Sequence, residues 1–246
     1  MNDLFKIILS SVVVGAIIKE FGQNQVNKLN MITAKRGEWR NDLKEIAQDI
    51  KKAKTDEIEE YYKKRTEGLS FETIVASGEN TSKPHAVPTD RKIQENDIIT
   101  IDMGCKVNGY CSDMTRTVFY KEVSPKQKAV YELVLKAQKA AEAMIKPGVR
   151  LCDIDKCARD IIAEGGYTVE FNHRLGHFIG RDVHEWGDVS QNYDIEVQEG
   201  MTFSIEPGVY LQGEFGVRIE DLVLVTKEGC KVLNSYPKDL RVIGND

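Results

Sequence analysis

The chain predicts an α+β fold, with strands in two groups and a pair of helices between them. Three observations carry this. β-branched and aromatic runs occur at Phe71–Ser77, Ile98–Met103 and Thr115–Tyr120, and again at Met201–Glu206 and Val217–Val225, each bounded by turn residues. Two helix-patterned stretches with start and stop signals separate the groups. The second group also echoes the first: Ile101-Asp102-Met-Gly104, Gly109-Tyr110 and Asp113 resemble Ile205-Glu206-Pro-Gly208, Gly213, Phe215 and Glu220. Both read as strand, carboxylate, glycine-rich connection, returning strand, carboxylate. Two such hairpins facing each other would bring all four acids to one place.

At the front, Ile7–Ile18 is unbroken apolar and small, bracketed by Lys6 and Lys19. As a helix it would reach about 18 Å, short of the roughly 30 Å hydrocarbon core. Extension to residues 4–21 with snorkelling lysines approaches a span. A membrane anchor, a buried or docking helix and a cleaved signal are all open readings, the last set against a barely basic start and no A-x-A site. From Thr33 to Arg65 the chain is charged and helix-friendly, and Trp39, Leu43, Ile46, Ile50 and Ala53 draw one apolar stripe. That stripe suits a helix packed on the outside of the domain, or a short coiled coil for self-association. Further on, Ser124-Pro125-Lys-Gln127 is a capping-box pattern with proline at the first helical position. This helix runs to about Ile145 and stops before Pro147-Gly148. A second covers Cys152–Glu164 and ends at Gly165-Gly166, suited to a left-handed cap.

A length of 246 residues accommodates one sizeable core behind an N-terminal extension. Hydrophobic residues at 41% and charged residues at 30% describe an ordinary globular chain. A net charge of −5 with no basic stripe excludes a general nucleic-acid binder. Five cysteines, an odd count without a regular framework, read as free thiols in a reducing compartment.

The chemistry concentrates in few places. All four histidines lie in two short stretches, His85 in the first and His173, His177 and His184 in the second. Asp102, Asp113, Glu206 and Glu220 are each embedded in an apolar, strand-like run, where a lone carboxylate is costly unless paired or metal-bound. Four carboxylates and one imidazole make an oxygen-rich site suited to Mn²⁺, Co²⁺ or Fe²⁺. That is more negative charge than one ion needs, so two ions sharing bridging carboxylates follow. Such a pair can polarise a carbonyl and supply hydroxide near neutral pH. Trp186 and Tyr110 read as wall or core residues.

Several motifs in order resemble the metal-dependent aminopeptidase family with the pita-bread fold, within it the Xaa-Pro peptidase (prolidase and aminopeptidase P) branch. They are Ala76-Ser-Gly-Glu-Asn with Pro84-His85, Asp102-Met-Gly, Ser112-Asp113-Met-Thr-Arg-Thr, Gly176-His177 with Val183-His184-Glu185, Ile205-Glu206-Pro-Gly, and Val217-Arg218-Ile219-Glu220-Asp221. The resemblance runs from about Ser70 to Val232. It implies two pseudo-symmetric halves forming a strongly curved antiparallel sheet covered by helices. It also implies that Asp102, Asp113, His177, Glu206 and Glu220 hold two divalent ions, Mn²⁺ foremost with Co²⁺, Fe²⁺ or Zn²⁺ as alternatives. Asp113 and Glu220 would bridge them, and Glu206 would also handle protons of the attacking water. His85 and His184 would stabilise the tetrahedral intermediate. His173 and Arg218 would hold the substrate beyond the scissile bond, the arginine fork suiting a free carboxylate. Arg218 also alternates with apolar residues, and an internal salt bridge to a neighbouring acid is its other reading.

The implied function is hydrolysis of the bond before proline in dipeptides or short peptides. Two alternatives stand beside it. Methionine aminopeptidases share the fold and the five ligands, although Arg218 before Glu220 and the run around Asp113 tilt away from them. An inactive, membrane-tethered binding module from a fused or truncated gene is the other. The front departs from the branch: Ile58 onward resembles the second helix of an opening pair, and the first is missing or replaced by Thr33–Ala53. The expected organisation is an N-terminal extension over 1–55 and a metallopeptidase domain over 56–246. It would act in the cytoplasm, or anchored with that domain in the cytoplasm, with membrane contact through residues 4–21 and homodimerisation both open.

Overall fold

The computed structural model describes residues 55–87 and 89–244. The apolar segment 4–21 and the Trp39–Ala53 stripe lie outside the described residues. Among the described residues, no helix is long and apolar enough to cross a membrane.

Helix α1 (Thr55–Arg65) precedes β1 (Ile74–Ser77), a 3-10 turn (Gly78–Ser82) and β2 (Ile98–Met103). A tight hairpin of β3 (Lys106–Val107) and β4 (Tyr110–Cys111) then leads to β5 (Met114–Tyr120). Asn108 and Gly109 form its tip, at φ 56° and 77°. That is the turn an Asn-Gly pair favours, because both central residues must take positive φ. β1, β2 and β5 pair antiparallel, with Asp102 opposite Thr115 and Met103 opposite Met114. Alternation along β2 sends Ile99, Ile101 and Met103 to one face, where they cluster with Tyr61 and Tyr62 of α1, Met114 and Val118. Asp102 takes the opposite face.

Helices α2 (Pro125–Met144) and α3 (Leu151–Glu164) follow as the sequence predicts. Ser124 Oγ accepts from Gln127 N at 3.2 Å while Ser124 N donates to Gln127 Oε1 at 2.9 Å. Such a cap stabilises a helix by about 1 kcal/mol. Val130, Tyr131, Val134, Ala137 and Ala141 make the buried stripe of α2, and Leu151, Ile154, Ala158 and Ile162 that of α3. After α3, Gly166 takes φ 89°, the left-handed turn that lets the chain leave the helix.

The second half contains β6 (Gly176–His177), β7 (Asp188–Val189), β8 (Thr202–Ile205), β9 (Gly208–Leu211), β10 (Phe215–Arg218), β11 (Asp221–Val225) and β12 (Cys230–Val232). β13 (Val242–Ile243) adds parallel to β5. β12, β11 and β8 form one sheet and β9 and β10 a hairpin. Phe203, Ile205, Val209, Val217 and Val223 meet the stripes of α2 and α3 in the main core.

Two strand boundaries differ from the sequence reading. The first strand begins at Ile74, not Phe71. The run Val217–Val225 is two strands, interrupted at Ile219 and Glu220, which pair with different neighbours. The cause is local: Glu220 N donates to Thr115 O at 3.1 Å, and Glu220 O accepts from Arg116 Nη1 at 2.5 Å. Bonded to β5 in this way, Glu220 cannot also serve a ladder. The internal echo is architecture: β2 and β5 flank the β3–β4 hairpin as β8 and β11 flank β9–β10. All five cysteines are free thiols.

Candidate active site

The four acids sit at the stems of these two hairpins. Asp102 lies within β2, and Asp113 shares its face because it stands two residues before Thr115, the cross-strand partner of Asp102. Glu206 follows β8 directly and Glu220 falls in the break between β10 and β11. His177 arrives on β6, which approaches β8 so closely that a Cβ on Gly176 would lie 1.9 Å from Ser204 O. Only glycine fits there. His177 N donates to Ser204 Oγ at 2.9 Å, and its Nδ1 donates to Phe178 O at 3.2 Å. Nε2 is thereby left as the ring's acceptor, 3.5 Å from Asp113 Oδ2 and 3.6 Å from Glu206 Oε1.

Asp113, His177 and Glu220 offer ligand atoms that all lie within 4.8 Å of one another, and all three side chains are buried. Atoms ligating one ion at about 2.0–2.6 Å are separated by at most roughly twice that distance, so this group has the dimensions of a cation cage. Burial first, and then the charges of Asp102 and Glu206, hold Asp113 well above the usual carboxylate range. Burial and the Asp113, Glu206 and Asp102 carboxylates do the same to Glu220, and burial raises Glu206. Asp102 Oδ1 and Asp113 Oδ1 are buried and accept no hydrogen bond from a described residue. Buried oxygens without donors, in a group of mutually repelling acids, are the pattern that cations resolve. The residues fit divalent metal.

His85, His173, His184 and Arg218 line the same cleft as the five candidate ligands, a cavity of about 1650 Å³. The His184 ring stands edge-on to His177 with centroids 4.4 Å apart. Burial, His177 and Arg174 push its pKa down to about 4. His173 is pushed to about 4 by burial and the Arg218 charge. Its Nδ1 donates to Arg174 O at 2.7 Å, which leaves Nε2 to accept from Tyr210 Oη at 3.1 Å. Arg218 lines the cleft with its guanidinium engaged by protein: Nη2 to Asp102 Oδ2 at 2.7 Å, Nε to Thr115 Oγ1 at 3.0 Å, and Nη1 to Pro84 O at 2.9 Å and Tyr210 Oη at 3.0 Å. This is the internal ion pair that the sequence left as the other reading. Trp186 corrects an expectation: it is 92% exposed rather than wall or core.

Sequence reasoning missed the groups that orient these side chains. Thr115 Oγ1 donates to Glu220 Oε2 at 2.7 Å, and Ser204 Oγ donates to Glu206 Oε1 at 3.2 Å. Tyr210 joins His173 to Arg218. Asp155 on α3 binds Arg159 at 2.6 and 3.0 Å and accepts from Leu175 N at 3.1 Å. Arg159 in turn donates to Phe171 O at 3.0 Å and His173 O at 2.5 Å, fixing the loop that carries His173. An Asp and Arg four apart on a helix is a readable signal, but nothing local told that it faces inward.

Residues 25–227 match the model of metallopeptidase family M24. The chain belongs to that family. An Xaa-Pro dipeptidase of Lactobacillus helveticus is 48% identical over 174 residues, 71% of this chain and 47% of the relative. Among solved structures, the prolidase from Pyrococcus horikoshii superposes with TM-score 0.74 at 44% identity, covering 76% of this chain and 54% of that one. The X-Pro aminopeptidase from Thermotoga maritima gives TM-score 0.73 at 40% identity, covering 77% and 55%. This M24 chain spans about half the length of the curated relatives it matches. Its fold is the pita-bread fold of these structural neighbours, with the described strands arranged in several sheets.

Proposed function

We propose that the domain from residue 56 onward is a two-cation exopeptidase that hydrolyses the bond preceding proline in dipeptides or short peptides. The observation that carries this is the buried Asp113, His177 and Glu220 group, with donorless oxygens of Asp113 and Asp102 beside it. Asp102, Asp113, His177, Glu206 and Glu220 would hold the ions, Mn²⁺ foremost, with Asp113 and Glu220 shared between them. Bound divalent cations supply Lewis acidity toward a carbonyl and a nucleophile available near neutral pH.

The protein's own groups do the rest. Glu206, raised by burial, would take a proton from the attacking water and return it to the leaving nitrogen, work that favours a pKa shifted toward neutrality. His184, neutral at pH 7 because its pKa is about 4, donates N–H toward the developing oxyanion without bringing a charge to be solvated, and His85 is a second donor there. Proline makes the scissile bond a tertiary amide with no N–H, so recognition rests on the shape of the ring and on its far end. His173, which lines the cleft, would contact that end. Arg218 acts there through Tyr210 and Asp102, since a substrate carboxylate would have to displace protein acceptors from its fork. Relatives named Xaa-Pro dipeptidase at 43–48% identity support this specificity over that of a methionine aminopeptidase.

The test is elemental analysis of protein purified without chelator, with Xaa-Pro hydrolysis measured before and after Mn²⁺ addition. Bound metal and Mn²⁺-dependent turnover are expected. Turnover of Met-Ala peptides with none of Xaa-Pro would overturn the specificity, and metal-free protein that takes up no cation would overturn the centre.

A further inference from the structure

Arg116 is the largest fully buried side chain among the described residues. It follows Thr115 on β5 and so points away from the cleft that Thr115 faces. Nη1 donates to Thr115 O at 2.9 Å and Glu220 O at 2.5 Å. Nη2 donates to Asp221 Oδ1 at 2.6 Å and Tyr236 O at 2.8 Å. Lys238 Nζ closes the other side of Asp221, 2.7 Å from its Oδ2 and 2.7 Å from Glu142 Oε2 on α2. A fully buried pair, Arg116 and Asp221, thus adjoins a half-buried one, Lys238 and Glu142.

Stability alone does not explain this arrangement, because a buried ion pair is often no better than well-packed apolar residues of the same volume. Its geometry is more telling. Thr115 and Glu220 meet twice: hydroxyl to carboxylate on the cleft side at 2.7 Å, and Glu220 N to Thr115 O along the backbone at 3.1 Å. Arg116 Nη1 binds the carbonyls of these same two residues from behind, while Asp221 holds Nη2. A guanidinium spreads its donors over separate nitrogens in a rigid fork, whereas an ammonium presents all three from one nitrogen on a flexible stem and cannot span the same acceptors in fixed directions. The grip falls where the chain breaks between β10 and β11, the one place where Glu220 has no ladder to hold it.

We infer that Arg116, braced by Asp221, is a positioning residue that sets the Glu220 carboxylate for cation binding from outside the cleft. The inference rests on the two-cation reading. Lys238 supplies the control: it touches neither Arg116 nor the three carbonyls, and binds Asp221 through Oδ2 rather than the Oδ1 that Arg116 uses.

The experiment titrates Mn²⁺ into metal-free wild type, Arg116→Lys and Lys238→Gln, and records each thermal midpoint. Both substitutions are expected to lower the midpoint. Only Arg116→Lys is expected to weaken Mn²⁺ binding, by about tenfold or more, the usual cost of losing an outer partner of a metal ligand. Lys238→Gln should bind within about twofold of wild type. If Arg116→Lys does not fold, Asp221→Asn is read in its place with the same expected loss. Wild-type affinity in Arg116→Lys (or in its substitute), or equal losses in it and in Lys238→Gln, overturns the inference. Failure of wild type to bind Mn²⁺ overturns instead the reading on which it rests.

Discussion

The two halves of the candidate site present their acids differently. In the β8–β11 half, both glutamates are tethered by hydroxyls, Glu206 by Ser204 and Glu220 by Thr115. In the β2–β5 half, Asp102 and Asp113 each bury an oxygen that meets no donor from a described residue. Asp102 has Arg218 on its other oxygen, and Asp113 has only the distant His177 ring. One half is therefore oriented by the protein itself, while the other is left to be satisfied by what binds. A longer, more flexible side chain needs a tether to point; a short one on a strand is aimed by its backbone and can be kept bare.

The sharpest way to break this contrast is Asp113→Asn. It removes a donorless acid raised by the Asp102 and Glu206 charges, and turnover and ion content should both be lost, beyond the 10–100-fold expected for outer partners. Unchanged metal content and activity would remove the bridging assignment. The same variant tests the like-charge account in chelator. Folded, metal-free protein holds its raised carboxyls protonated at pH values where the unfolded chain has released them. Their contribution is therefore complete below about pH 4 and is lost as pH rises through the raised folded values. The lowered pKa values of His173 and His184, about 4 each, act oppositely between about pH 4 and 6.5, and cancel when the variant is compared with wild type. Asp113→Asn should therefore gain thermal stability relative to wild type as pH rises from about 5 to 8, and parallel curves would sink the account.

Next in size is Thr115→Val, which keeps the shape and removes the tether. Loss of the Glu220 donor and of the acceptor for Arg218 Nε should weaken Mn²⁺ binding by about 10–100-fold, read by titration. The smallest effect is expected from Ser204→Ala. Its bond to Glu206 is longer, 3.2 Å against 2.7 Å, and Glu206 is only partly buried, so a loss of about tenfold or less is expected. A larger loss than in Thr115→Val would reverse the ranking of the two tethers.

What the sequence made legible was local. The capping box at Ser124, the stop at Gly166 and the strand pairs around each hairpin all depend on residues within one or two turns of each other. The acids and His177 stood out because charge in an apolar strand is conspicuous on its own. Tyr210, Thr115, Ser204 and Arg116 did not, since hydroxyls and a strand arginine are ordinary residues until the fold supplies their partners. Thr115 and Glu220 are 105 positions apart, and no periodicity announces such a contact. The break after Arg218 was hidden for the same reason. Its apolar pattern continues through Glu220, and only the bonds to β5 interrupt it.

The hairpin tips carry a practical consequence. The four candidate acids lie at the bases of β3–β4 and β9–β10, while the turns at Asn108-Gly109 and Gly213 lie at the opposite ends of those hairpins. A Cβ on Gly213 would touch nothing within 4 Å. That tip is a natural port for grafting a reporter peptide or a fluorescent label, whereas Gly109 N donates to Glu67 Oε2 at 2.6 Å and ties the first tip down.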